Sequence, residues 1–134
     1  MVKDLKVSSK SAEAVKADLC VTGMFEGSSM SKGQGSLDSA CSGALGTAVK
    51  LSGFKAKFGK SVQVFGNSGL KRVSLYGMGK KSEFKTDNAR DLAAMIVKNA
   101  QEDKIGSITI DGASFGLNED AFCQAFCEGL VLGA

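Results

Sequence analysis

The stretch that decides the fold is Lys71-Arg72-Val73-Ser74-Leu75-Tyr76-Gly77-Met78-Gly79-Lys80-Lys81. Its β-branched, aliphatic and aromatic residues suit a pleated, packed surface, whereas its two glycines permit positive φ and close approach of the backbone. The stretch therefore predicts a buried strand that stops at a tight turn. A helical pattern begins soon afterwards, near Thr86. Strand, glycine turn and helix in this order are typical of an α/β sheet, whose ligand sites lie beyond the carboxyl ends of the strands.

Four further apolar runs predict strands, at residues 2–7, 18–25, 62–65 and 108–110. Charged residues interrupt the first run, which favours a place at the edge of the sheet. The second run is almost continuously apolar and fits a sheet that is covered on both faces. The last run is closed by Asp111-Gly112, and Asn67-Ser68-Gly69 predicts a turn after the third.

Three segments repeat apolar residues at the spacing of one helical face. The first helix is predicted to begin at a Ser36 cap, and the second at a Thr86 cap, while the third covers residues 119–132. Their predicted buried faces are, in order, Leu37, Ala40, Cys41, Ala44, Ala48 and Leu51; Ala89, Leu92, Ala93, Ile96 and Ala100; and Phe122, Ala125, Phe126, Gly129 and Leu130.

Five strands interleaved with three helices predict an α/β fold with three layers, helix on sheet on helix. The 134 residues, 43% of them hydrophobic, are enough to build one core, so we expect residues 1–134 to form a single domain. Residues 26–35 are rich in glycine and serine and predict a flexible surface loop. A phosphate cradle is less favoured there, because no Gly-Lys-Ser/Thr ending follows.

The charge is distributed unevenly along the chain, although the formal net charge is only +3. Between Lys50 and Lys85 there are nine basic residues and one acidic residue, Glu83. This distribution predicts one basic face or end. The amino terminus lacks the apolar core of a signal peptide, and no apolar run approaches the roughly 20 residues of a membrane span. We therefore expect a soluble, cytoplasmic protein with no membrane partner.

The sequence offers few residues for catalysis. It contains no histidine, so Ser-His and Cys-His nucleophile pairs are excluded. The four cysteines are predicted to be reduced and mostly buried, and a metal held by Cys123 and Cys127 is disfavoured because no further ligand is apparent. Asp111 could face a cleft, but Asp-Gly after a strand is more often a turn. Lys80 and Lys81 are most simply read as a solvated strand end.

Several short signatures occur together in one order along almost the whole chain. They are Leu37-Asp38, Gly43, Phe54, Lys57, Gly59, Arg72-Val73, Gly77-Met78-Gly79-Lys80, Arg90 and Glu128-Gly129-Leu130. In this order the chain resembles the amino-terminal domain of the leucyl aminopeptidase (cytosol aminopeptidase) family. The resemblance implies a macro-domain-like mixed sheet flanked by helices.

The resemblance implies that the chemistry belongs to a second, carboxyl-terminal domain, which holds two divalent metals, zinc or manganese, and removes amino-terminal residues from peptides. The family signature Asn-Thr-Asp-Ala-Glu-Gly-Arg-Leu has no counterpart here, because residues 85–92 lack its Glu-Gly. No catalytic, cofactor-binding or metal-binding residue is therefore assigned to this chain. We expect a fragment whose partners are its own catalytic domain and a hexamer, where it aids assembly and access to the active site.

Two alternatives stay open at this stage. A crevice near Gly77, Gly79 and Asp111 could bind ADP-ribose or another nucleotide through backbone amides. DNA is a possible but less favoured partner of the basic segment, because Phe54, Phe58 and Phe65 are predicted to be core residues rather than a stacking platform. The basic residues in question are Lys50, Lys55, Lys57, Lys60, Lys71, Arg72, Lys80, Lys81 and Lys85.

Overall fold

The computed structural model of the chain describes residues 4–8, 18–30, 34–35, 38–39, 41–65, 72–117 and 119–133. Its five strands are β1 (Asp4–Ser8), β2 (Leu19–Met24), β3 (Ser61–Phe65), β4 (Arg72–Gly77) and β5 (Ser107–Asp111). Its longer helices are α1 (Ala44–Ser52), α2 (Thr86–Glu102) and α3 (Asp120–Gly133). Two short 3₁₀ helices occupy Lys81–Glu83 and Gly112–Phe115.

The strands form one mixed sheet in the order β1-β5-β2-β4-β3. The first four strands in this order run parallel, and β3 pairs antiparallel with β4. All six residues of β2 are buried, as the near-continuous apolar run predicts for a central strand. β1 pairs with β5 at one end of the sheet, which confirms the predicted edge strand.

Alternate side chains of the central strands enter two separate cores. On one face, Leu19, Val21 and Ile110 join the apolar stripes of α2 and α3. On the other face, Val73 and Leu75 pack with residues that include Leu45 of α1. The predicted three-layer α/β/α arrangement is therefore confirmed for the described part of the chain.

The predicted stripe of α2 is confirmed in full, and Val97 adds to it. The helix begins one residue earlier than predicted, because Lys85 is the N-cap and Thr86 the first helical residue. The Lys85 amide donates a 2.9 Å hydrogen bond to the side-chain oxygen of Asn88, which satisfies one amide at this helix end. On α3, the predicted residues are buried except Phe122, which is half-buried against the same core.

The predicted first helix is wrong in its extent, and its predicted buried face is confirmed only in part. A turn at Cys41–Gly43, where Ser42 and Gly43 both have positive φ, separates α1 from the helical residues 38–39. The carboxylate of Asp38 crosses this turn and accepts a 2.8 Å hydrogen bond from the Gly46 amide. Cys41 is buried and Ala44 and Ala48 pack against the same core, as predicted. Leu45 is buried as well, whereas Leu51 is 84% exposed at the end of the helix. Ser36, Leu37 and Ala40 lie outside the described residues.

Three aromatic residues of the basic segment are less buried than predicted. Phe65 is 71% exposed, Phe58 is 37% exposed, and Phe54 is half-buried. The reason for Phe65 is its place on β3, a strand of which only Val64 is buried. The Arg72 guanidinium lies 5.4 Å from the Phe65 ring centroid, which gives this exposed ring a cation–π partner.

The backbones of α2 and α3 approach each other closely at two glycines of α3. A β-carbon at Gly129 would lie 2.8 Å from the β-carbon of Ala93 and would overlap the Arg90 carbonyl oxygen. At Gly133 it would lie 2.6 Å from the Ala94 carbonyl oxygen. Glycine is therefore required at these positions by space rather than by backbone conformation.

We predict that Gly129→Ala lowers the free energy of unfolding by about 1–3 kcal/mol, because the methyl group overpacks the helix crossing. Alanine would otherwise favour the helix by about 1 kcal/mol. The control is Gly35→Ala, where a β-carbon would meet nothing within 4 Å. The control should leave stability unchanged or raise it by about 0.4–1 kcal/mol. Urea unfolding monitored by circular dichroism measures both, and an equal or higher midpoint for Gly129→Ala would contradict the packing argument.

Candidate functional site

The glycine turn that follows β4 has no free amides for a phosphate. The amide of Gly77 donates to the Lys60 carbonyl at 2.7 Å, and the amide of Gly79 donates to the Ala56 carbonyl at 3.0 Å. Between them, the Met78 amide donates to the carbonyl of Met24 at 2.8 Å. These three amides are therefore not available to a nucleotide phosphate in this conformation of the turn.

These glycines instead allow the segment before β3 to pack on the end of β4. A β-carbon at Gly77 would overlap the carbonyl oxygen of Lys57 and the backbone of Ala56. Gly79 has a φ of +73°, a conformation that side chains with a β-carbon rarely adopt. The two glycines thus serve chain packing, which the pattern Gly-x-Gly alone could not distinguish from ligand binding.

The predicted crevice between Asp111 and this turn is filled by side chains. β2 lies between β5 and β4 in the sheet, and its Gly23 is the point that both sides approach. A β-carbon at Gly23 would lie 2.6 Å from the Phe115 ring and 2.8 Å from the sulfur of Met78. Because Phe115 and Met78 are both about 1% exposed, they close this part of the carboxyl edge.

Asp111 belongs to a polar network that ties β2 to β5. The Thr22 hydroxyl donates to Asp111 Oδ2 at 2.9 Å, and the Gly23 amide donates to Ser114 Oγ at 2.9 Å. Ser114 Oγ in turn donates to the carbonyl oxygen of Asp111 at 2.7 Å. Instead of a simple Asp-Gly turn, a 3₁₀ helix follows the strand and supplies Ser114. The carboxylate is thus an acceptor within the network.

Gln34 completes this network and corrects the predicted surface loop. Its side-chain amide donates to the Thr22 hydroxyl at 2.9 Å and also to the Gly23 carbonyl oxygen. Gln34 is only 3% exposed, and residues 34–35 are helical. The one clue in the sequence was a long amide side chain within a run of glycine and serine. Residues 31–33 of the predicted loop lie outside the described residues.

The buried thiols are poor nucleophiles. Burial, with a smaller contribution from the negative charge of Asp111, raises the pKa of the Cys20 thiol to about 12. Burial also raises the pKa of the Cys41 thiol, to which Asp38 contributes. Both groups are therefore protonated at neutral pH, and the thiolate is the reactive form of cysteine.

The other two cysteines lie on the outer side of α3. Cys123 is half-buried and Cys127 is exposed, so only two of the four thiols are fully buried. Burial and the neighbouring Cys123 raise the pKa of Cys127. Within the described ranges, no group of three or more His, Cys, Asp or Glu side chains is placed to hold a metal ion. The described residues therefore offer no set of ligands for the two divalent metals, which the resemblance assigns to the carboxyl-terminal domain.

The structure brings part of the basic segment together. The exposed side chains of Lys55, Lys57 and Lys60 line one cleft of about 310 Å³ beside the start of β3. A second cleft of about 310 Å³, next to the glycine turn, contains Lys57 and Lys80 but also Glu26 and Glu83. Positive charge is therefore concentrated at the first cleft and balanced at the second. Lys71 lies outside the described residues.

Residues of the last two signatures, Arg90 and Glu128-Gly129, meet where α2 crosses α3. The Arg90 guanidinium donates to Asp87 Oδ1 at 2.8 Å and to Glu128 Oε1 at 3.2 Å. Gly129, the next residue, is the position that contacts the Arg90 backbone. These signature residues therefore form a helix contact, and sequence reasoning could not tell this role from a chemical one.

The chain is similar to probable cytosol aminopeptidases from several bacteria. It is 32% identical to that of Sulfurihydrogenibium sp. (strain YO3AOP1) over an alignment of 134 positions. The alignment covers 97% of this chain and 27% of the relative. It is 27% identical to that of Alkaliphilus oremlandii (strain OhILAs), with the same shares of the two chains covered. The chain thus spans about 27% of the length of these relatives.

Two solved structures share the fold. A mutant of tomato leucine aminopeptidase aligns with a TM-score of 0.73 and 21% identity, over 98% of this chain and 28% of that chain. The macrodomain of Mycobacterium tuberculosis DarG aligns with a TM-score of 0.70 and 13% identity, over 97% of this chain and 91% of that chain. At these identities the likeness concerns the fold alone, and it confirms the predicted macro-domain-like arrangement.

A family profile settles the relationship that the signatures suggested. The profile is described as the N-terminal domain of the cytosol aminopeptidase family, and it matches residues 21–134. This range includes three strands in full, most of β2 and all three longer helices. The chain therefore belongs to the cytosol aminopeptidase family and corresponds to its N-terminal domain.

Proposed function

We propose that residues 1–134 are one non-catalytic domain of a leucyl aminopeptidase that removes amino-terminal residues from peptides. The observation that carries this proposal is the match of residues 21–134 to the N-terminal domain of the family. The part of the relative that aligns with this chain is only 27% of its length. The remaining length of such a protein would supply the chemistry. We assign no catalytic, cofactor-binding or metal-binding residue to the chain.

The side chains support this division of labour. The sequence has no histidine, and the thiols of Cys20 and Cys41 are held in the protonated form by burial. Asp111 accepts a hydrogen bond from Thr22 in a network that joins two strands. A general base would need both a pKa near the operating pH and access to substrate. The two buried thiols do not meet these conditions.

In the intact protein, two divalent metals, zinc or manganese, would be held by the catalytic domain. The N-terminal domain would help to assemble a hexamer and to shape access to the active sites. We propose the cytoplasm as the compartment, because the relatives are probable cytosol aminopeptidases. In the described residues, no helix is long and apolar enough to cross a membrane, and we propose no membrane partner.

Nucleotide binding is the main alternative, since the DarG macrodomain has the same fold. Likeness of fold does not carry function with it. The amides that would contact phosphate are bonded to Lys60, Met24 and Ala56, and Phe115 fills the space beside Gly23. Opening this site would break several backbone hydrogen bonds, each worth about 0.5–1.5 kcal/mol.

DNA binding through the basic segment is a weaker alternative. The cleft with Lys55, Lys57 and Lys60 could contact phosphates, and such contacts would weaken steeply with salt. Phe65 is exposed, contrary to prediction, but its ring already has the Arg72 guanidinium as a cation–π partner. A small net charge of +3 gives little long-range attraction for a polyanion.

We predict that the purified 134-residue chain does not hydrolyse leucine p-nitroanilide, with manganese or zinc supplied. The reason is that the described residues offer no cluster of metal ligands and that burial keeps the Cys20 thiol protonated. A full-length leucyl aminopeptidase assayed in the same buffer is the positive control. Metal-dependent turnover that co-purifies with the chain would contradict the proposal.

We also predict that calorimetric titration with ADP-ribose gives no binding heat. In a separate thermal unfolding scan, millimolar ADP-ribose should not raise the melting temperature. A ligand at one hundred times its Kd would stabilise the folded state by about 2.7 kcal/mol, so even weak binding would be visible. Saturable heat that is lost in Gly23→Val would show instead that the carboxyl edge opens for a nucleotide. Heat that is unchanged in this variant would place the nucleotide elsewhere on the chain.

A further inference from the structure

An open groove of about 490 Å³ lies along the outer side of α3. It is lined by Arg90 of α2 and by Gln124, Cys127, Glu128, Val131 and Leu132 of α3. Its accessible lining is almost entirely apolar. The Arg90–Glu128 ion pair closes its polar side, since the two side chains hold each other at 3.2 Å. This feature takes no part in the function proposed above.

The groove follows from a second stripe on α3. Gln124, Cys127, Glu128 and Val131 recur at the spacing i, i+3, i+4 and i+7, which places them on one side of a helix. The opposite stripe, which includes Phe126 and Leu130, is buried against α2 and the sheet. This outer side mixes the polar Gln124 and Glu128 with Cys127 and Val131, and no described residue covers its apolar groups.

The exposed side chains of this stripe are costly to leave in water. Val131 is 75% exposed and Leu132 is 71% exposed, and they are neighbours on the last turn of α3. Burial of large aliphatic side chains such as these is favourable. Of the five large hydrophobic side chains that are exposed in the described residues, these two alone line the groove.

The greater length of the relatives supplies a candidate for what covers the groove. The matched domain is the N-terminal one, and it makes up about 27% of each relative. In such a protein the rest of the chain follows the position of α3, so it emerges beside Val131 and Leu132. Tethering of this kind gives an effective concentration of about millimolar, which lets a small apolar contact form.

We propose that the α3 groove is the docking surface for the catalytic domain of the aminopeptidase, which covers Cys127, Val131 and Leu132. This inference rests on the proposed function and adds the surface through which the domain acts. The occupant presents an apolar segment to the groove and leaves the Arg90–Glu128 pair at the rim. A second copy of this chain is the competing occupant, and the experiment below distinguishes the two.

The test uses Cys127 as a reporter of occupancy. The chain is joined to the part of the Sulfurihydrogenibium aminopeptidase that follows its matched domain, and alkylation of Cys127 by N-ethylmaleimide is followed by peptide mass spectrometry. The chain alone serves as the reference at the same pH. Docking should slow alkylation of Cys127 at least about tenfold, as expected when the effective concentration exceeds the Kd about tenfold. Equal rates in the two proteins would overturn the proposal.

Matched charge variants locate the contact. Val131→Asp with Leu132→Asp should return Cys127 to the rate of the isolated chain, because two carboxylates cannot be buried in an apolar groove without a large cost. Leu51→Asp is the control, since Leu51 is 84% exposed on α1, on the opposite face of the sheet, and should keep the protection. Protection that survives in the groove variant would overturn the proposal.

Hydrolysis of leucine p-nitroanilide by the fusion separates this inference from the proposed function. An active fusion with an unprotected Cys127 overturns the docking surface alone, whereas protection without activity supports the docking surface and counts against the function. If the fusion is insoluble, the two parts are co-expressed as separate chains, and failure to co-purify overturns the proposal. Sedimentation of the chain alone that shows a dimer, lost with Leu132→Asp, would assign the groove to a second copy and overturn it as well.

Discussion

The close packing of α3 on α2 at Gly129 and Gly133 is the contact on which the rest of the structure depends. Because neither glycine carries a β-carbon, the backbone of α3 reaches the carbonyl oxygens of Arg90 and Ala94. This depth lets Phe126 enter the core beneath the helices and contact Phe115, with ring centroids 5.1 Å apart. It also determines the rotation of α3 about its axis. The outer stripe and its apolar groove follow from that rotation.

A second close contact shapes the carboxyl edge of the sheet, where ligands of α/β proteins usually bind. Gly77 admits the backbone of Ala56 and Lys57, and Gly23 admits the side chains of Phe115 and Met78. Space that could hold a ligand is therefore occupied by the chain itself. Polar groups of this edge, among them the Thr22 hydroxyl and the Asp111 carboxylate, are hydrogen-bonded to one another in one network.

The elements with strong local patterns were predictable from the sequence. The buried run of β4 and the regular stripe of α2 need only local periodicity to be recognised, and both are confirmed. The errors lie where a distant contact decides the outcome. Periodicity predicts one helix through Leu51, but the turn at Ser42 and Gly43 interrupts it, and Leu51 is 84% exposed. Likewise, Gln34 is buried by its hydrogen bonds to Thr22 and Gly23, which are twelve and eleven residues away. The periodicity of α3 predicts its buried face, whereas other residues of the same helix line the groove, so the groove was not predictable from that pattern.

We propose that this domain acts through a surface of α3 and contributes no group to the reaction. A crystal structure of the fusion between this chain and the catalytic part of its Sulfurihydrogenibium relative provides a direct test. We expect Val131 and Leu132, now 75% and 71% exposed, to become buried against the catalytic domain, with no side chain of this chain near the metals. Solvent on both residues, or a side chain of residues 1–134 bound to an active-site metal, would contradict it.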